Sequence, residues 1–125
     1  MLSQQGEWLK KWADQKIKTG IPFVIAGDFN RKINSIGDTD DFWQKMDPDG
    51  LLIRFPQEKE STCNVIKRNK SSLDYFVIDR DNKNFLIDNS FSIVSYDQSD
   101  LDTRRSKLST HCPLTIEYDF EKGNV

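Results

Sequence analysis

The stretch Ile21-Pro22-Phe23-Val24-Ile25-Ala26-Gly27-Asp28-Phe29-Asn30 constrains this chain more than any other. A short apolar run stops at a glycine, and a carboxylate and a carboxamide follow at once. Pro22 suits the first residue of a strand, Phe23 to Ala26 read as buried on both faces, and Gly27 permits a sharp exit. If the backbone stays extended beyond Gly27, Asp28 and Asn30 share one side while Phe29 points back to the core. Such a pair can orient a water and hold a phosphate oxygen. The same two residues equally suit an Asx turn, in which both side chains only cap backbone groups.

At 125 residues the chain is one domain's worth, and 36% hydrophobic with 30% charged residues describes a soluble globular protein. Its apolar runs are far shorter than the ~20 residues of a spanning helix, and no charged-then-apolar leader opens it. The reading is therefore a soluble chain without a membrane span and with no compartment assigned. A net charge of −2 excludes bulk electrostatic binding of nucleic acid, so phosphate recognition has to be local. Cys63 and Cys112 make neither a disulfide framework nor a zinc site and read as small core residues, leaving the redox compartment open.

Gln4 to Lys18 carries Trp8, Leu9, Trp12, Ala13 and Ile17 at helical spacing and closes at Thr19-Gly20, with both tryptophans expected in the core. A polar loop covers Arg31 to Thr39, and Thr39 or Asp40 can cap a short helix from Asp41 to Met46, ended by Pro48-Asp49-Gly50. Leu51 to Phe55 is apolar and of open type. Strands are predicted at Ser61 to Ile66, Leu73 to Ile78, Phe91 to Tyr96 and His111 to Tyr118. A basic turn fills Lys67 to Ser72, a turn Asp79 to Asn84, a short extended piece Phe85 to Asn89, and a long polar loop Asp97 to Ser109. The order of elements predicts an α/β or α+β layered sheet.

Asp74 enters an apolar strand, where a carboxylate needs a partner. His111 is the sole histidine. A carboxylate on one ring nitrogen would fix its tautomer and leave the other for substrate, so Asp74 and His111 can form a dyad. A satisfied structural histidine is the plainer alternative. Lys67, Arg68 and Lys70 precede Asp74, and Arg104, Arg105 and Lys107 precede His111. They are either a solvated loop or phosphate contacts.

Taken together, Gly27-Asp28-Phe29-Asn30, Ser72-Leu73-Asp74-Tyr75-Phe76-Val77-Ile78 and Leu108-Ser109-Thr110-His111-Cys112-Pro113-Leu114 resemble, in order and separation, the C-terminal half of the endonuclease/exonuclease/phosphatase (DNase I-like) superfamily. The resemblance spans Gln4 to Tyr118, so residues 1–120 read as that half domain and 121–125 as a frayed tail. It implies half of a four-layered α/β sandwich, mostly antiparallel sheet with flanking helices, completed by homodimerisation or by a complementary N-terminal half. It also implies Mg²⁺- or Mn²⁺-dependent hydrolysis of a phosphate ester, nucleic acid among the candidate substrates. By position, Asp28 would orient or deprotonate water, Asn30 would hold Asp28 and a phosphate oxygen, and His111 would stabilise phosphoryl charge with Asp74 orienting it. Lys67, Arg68, Lys70, Arg104 and Arg105 are the candidate phosphate contacts.

Two departures accompany the match. Thr110 stands where the family has a metal-binding aspartate, and a neutral hydroxyl is a weaker ligand for a hard cation. A complete family domain is also roughly twice this length, its first half supplying a sheet and a metal-binding glutamate. The alternative expectation is accordingly an inactive binding or structural module derived from the family, or a gene fragment.

Overall fold

The computed structural model describes residues 2–29, 42–57, 63, 74–109 and 111–121, which form an α+β arrangement of antiparallel sheets with flanking helices. Helix α1 runs from Leu2 to Lys18. Its end has a physical cause: Gly20 takes a positive φ of 73°, its N–H reaches the Ile17 carbonyl at 3.0 Å, and the Ile21 N–H reaches Lys16 at 3.0 Å. Those two bonds satisfy carbonyls that the helix would otherwise leave open. Leu9, Trp12, Ala13 and Ile17 pack into the main core as their spacing requires. Trp8, also expected there, is instead 66% exposed. It lies about 100° round the helix from Leu9, outside the stripe that meets the sheet.

Strand β1 (Val24–Asp28) pairs antiparallel with β3 (Asp74–Asp79), which pairs antiparallel with β2 (Leu52–Phe55), giving the order β1-β3-β2. Within Leu51 to Phe55, of open type in the sequence, Leu52–Phe55 is thus a strand at the edge of the sheet that the described residues form. The short helix α2 (Phe42–Met46) and α1 cover one face of this sheet. Phe23, Leu52 and Val77 meet Ala13, Phe42 and Met46 there, and Ile25, opposite Val77, joins them half-buried. Asp79 is buried beneath, accepting from the Phe23 N–H at 3.3 Å and from the Asn82 side-chain amide. The expectation that Phe23 to Ala26 is buried on both faces is corrected: Phe23 is buried, Val24 and Ile25 are half-buried and Ala26 is exposed, β1 being an edge of the sheet formed by the described residues.

After β3 the chain makes a 3-10 turn (Arg80–Phe85), then builds a second, two-stranded sheet from β4 (Ser92–Ile93) and β5 (Leu114–Thr115). Both strands are shorter than expected. The antiparallel path nevertheless continues through the Leu86–Tyr118 bridge, with Ile87 N–H to the Glu117 carbonyl at 2.9 Å and Asp119 N–H to Phe85 at 2.7 Å. The expected polar loop from Asp97 to Ser109 is instead helix α3 (Gln98–Arg104) followed by a 3-10 turn (Arg105–Lys107). Sequence periodicity could not reveal it, because a single buried leucine, Leu101, anchors it. The rest of its support is local, Gln98 to Asp102 at 2.8 Å and Thr103 to the Ser99 carbonyl at 2.7 Å.

Leu101 packs on a second small core made by Cys63 and Cys112, which are buried as expected and are joined to each other in a disulfide. The predicted strand Ser61 to Ile66 and the basic turn Lys67 to Ser72 lie outside the described residues, apart from Cys63. No helix among the described residues is long and apolar enough to cross a membrane.

Candidate active site

Antiparallel pairing puts the end of β1 beside the start of β3, so Asp28 and Asp74 are direct cross-strand partners on one face. Two carboxylates placed this way repel each other unless positive charge stands between them. Gly27, paired with Tyr75, takes a φ of 154°, a conformation that residues bearing a side chain rarely adopt. The next residues divide as the pleat requires. Phe29 turns into the core, its ring 5.8 Å from that of Phe42 and 5.6 Å from that of Tyr75, and Asp28 stays at the surface.

His111 reaches the same place from the other sheet. It sits in a bend three residues before β5, its backbone N–H donating to the Ser109 hydroxyl at 3.1 Å. Its Nδ1 lies 2.7 Å from Asp74 Oδ2. That hydrogen bond raises the imidazole pKa above its ordinary value, partial burial opposes the rise, and the charges of Asp74 and Asp28 add to it. Nδ1 is thus the ring nitrogen that meets the carboxylate.

The ligand atoms of Asp28, Asp74 and His111 all lie within 4.8 Å of one another. Carboxylate oxygens are ligands that Mg²⁺ and Mn²⁺ accept, whereas an imidazole nitrogen suits softer ions such as Zn²⁺ better. With His111 already hydrogen-bonded to Asp74, the two carboxylates are the better candidates for holding a divalent cation. Among the described residues, these three side chains are the ones that could hold such an ion.

The sequence-derived candidates divide clearly. Asp28, Asp74 and His111 come together from β1, β3 and the turn before β5. Arg104 is exposed at the end of α3, and Arg105 is half-buried in the next turn. Asn30, Thr110, Lys67, Arg68 and Lys70 lie outside the described residues. Sequence reasoning missed the Ser109 hydroxyl beneath the His111 amide and the disulfide next to His111. Only the presence of two cysteines hinted at the latter. Comparison with protein-family models, curated proteins and solved structures finds no match to this chain.

Proposed function

We propose that this chain carries a divalent-metal-dependent phosphoesterase centre of the endonuclease/exonuclease/phosphatase kind, acting on a phosphodiester. The observation that carries the proposal is the convergence of Asp28, Asp74 and His111 from three separate segments onto one sheet end. Asp28 orients the attacking water and accepts its proton as the new P–O bond forms. Asp74 holds the imidazole through Nδ1, which leaves Nε2 to hydrogen-bond a phosphoryl oxygen as the bond to the leaving group breaks. Being raised in pKa, His111 carries positive charge more readily than an isolated histidine, suiting it to an anionic transition state. A bound Mg²⁺ or Mn²⁺ would add charge neutralisation at those oxygens.

Two observations favour a weaker centre or an inactive binding module as the second reading: Thr110 in place of an aspartate, and the sparse metal-binding set. The face of the three-stranded sheet turned away from α1 and α2 supports a half-sandwich that a second copy or a complementary half completes. It carries Val24, Ala26, Ile53, Phe55 and Phe76, none of them fully buried, beside Ile78, which is fully buried, and the Phe55 ring stacks on Phe91. Nicking of supercoiled plasmid in Mg²⁺ tests the proposal, run with Thr110→Asp beside the parent chain. Nicking strengthened by Thr110→Asp supports a working centre short of a metal ligand. Silence from both favours the inactive module, and a monomeric mass at micromolar concentration would sink the homodimer.

A further inference from the structure

The Asp74–His111 pair spans two sheets, since Asp74 opens β3 of the three-stranded sheet and His111 lies in the turn leading into β5 of the two-stranded one. That turn has little ladder support. The His111 amide is used by Ser109 within the turn, and the nearest sheet bond on this strand is Val94 N–H to the Pro113 carbonyl at 2.8 Å. Among the described residues, two other ties are seen. The Tyr96 hydroxyl donates to the Ser109 carbonyl at 3.2 Å, and Cys112, adjacent to His111, is bonded to Cys63 across 49 residues. Cys63 belongs to the chain between β2 and β3, so the disulfide joins the segment that leads into Asp74 to the residue beside His111. Both half-cystines are buried against Leu101, Ile93, Tyr96 and Leu108, giving the tie a packed anchor.

We infer that the Cys63–Cys112 disulfide is the positioning element of His111, and that opening it releases the imidazole from Asp74 while leaving the two sheets folded. In the opening step a dithiol is oxidised to its cyclic disulfide, and the two electrons and two protons it gives up convert the Cys63–Cys112 bond to two thiols. Attack runs through a mixed disulfide, and burial of both sulfurs makes it slow. The catalytic consequence rests on the phosphoesterase reading; the positioning does not. An oxidised chain would carry the oriented histidine, and a reduced one would bind substrate with a loose one.

The test uses the whole chain, metal-free and ¹⁵N-labelled, because its single histidine gives one imidazole spectrum. The ring nitrogens are recorded at alkaline pH in the oxidised protein, after dithiol treatment, and in the double variant Cys63→Ser/Cys112→Ser, with far-UV circular dichroism alongside. The expected result is a fixed Nδ1–H tautomer in the oxidised protein, absent in Asp74→Asn, giving way to averaged tautomers on reduction with the dichroism unchanged. Ring signals indifferent to reduction would overturn the inference. So would averaged tautomers in the oxidised protein, or collapse of the whole fold on reduction, which would make the bond a fold staple rather than a positioning device. Phosphodiester hydrolysis measured on the same samples after addition of Mg²⁺ or Mn²⁺ separates the two claims: a fixed tautomer with no metal-dependent hydrolysis defeats the phosphoesterase reading and leaves the positioning intact.

Discussion

His111 Nδ1 lies 2.7 Å from Asp74 Oδ2 although 37 residues separate them in the chain. The pair makes stability depend on pH in a definite direction. The folded-state pKa of His111 is raised above its unfolded value, so the stabilisation is complete below about 6.5 and is lost as pH rises through the folded value. With the imidazole 41% exposed, solvent limits the effect to about 1 kcal/mol or less. Urea unfolding of the metal-free protein should show this loss across that window. Asp74→Asn should flatten it, and an identical slope in that variant would remove the pair from the account.

Asp28 and Asp74 face each other as cross-strand partners, so Asp28→Asn tests whether the pair holds a cation. Added Mg²⁺ or Mn²⁺ should raise the parent's melting temperature and leave the variant's unchanged. Equal metal-induced shifts in both proteins would show that Asp28 holds no cation.

Gly6 on α1 sits against α2, where an added Cβ would come 3.0 Å from the Phe42 carbonyl oxygen and 3.2 Å from Lys45 Cβ. Alanine brings roughly 1 kcal/mol of helix propensity, but crowding a backbone oxygen costs about 1–3 kcal/mol. Gly6→Ala is therefore expected to destabilise the domain in chemical denaturation. A more stable variant would mean that the two helices slide apart easily.

The Tyr118 hydroxyl is buried with no hydrogen-bond partner among the described residues, and burial, helped by the charge of Asp79, pushes its pKa up to about 12. A buried hydroxyl without a partner costs about 1–3 kcal/mol. Tyr118→Phe keeps the stacking on Phe85 at 5.8 Å and removes that cost. The variant should be as stable as the parent chain or more so, as judged by its melting temperature.

What could be read from the sequence follows the strength of local patterns. Helix α1 was legible because Leu9, Ala13 and Ile17 repeat at helical spacing and Thr19-Gly20 closes it. β3 was legible because Tyr75 to Ile78 is a dense run of strand formers. Asp28, Asp74 and His111 stood out because each borders or interrupts an apolar run. Helix α3 was hidden because its single apolar anchor, Leu101, has no periodic companions. Trp8 is exposed because it lies off the stripe that Leu9, Ala13 and Ile17 form on the helix. The Cys63–Cys112 bond could not be read, since a pairing across 49 residues depends on how two sheets are placed.

The most direct test of the phosphoesterase reading is hydrolysis of an aryl phosphodiester by the intact, oxidised chain in Mg²⁺ or Mn²⁺, compared with excess chelator, Asp28→Ala and His111→Ala. The expected result is metal-dependent turnover that chelator abolishes and that each substitution lowers by at least about 100-fold. Turnover that survives both substitutions, or no metal-dependent turnover at any concentration of the chain, would contradict it.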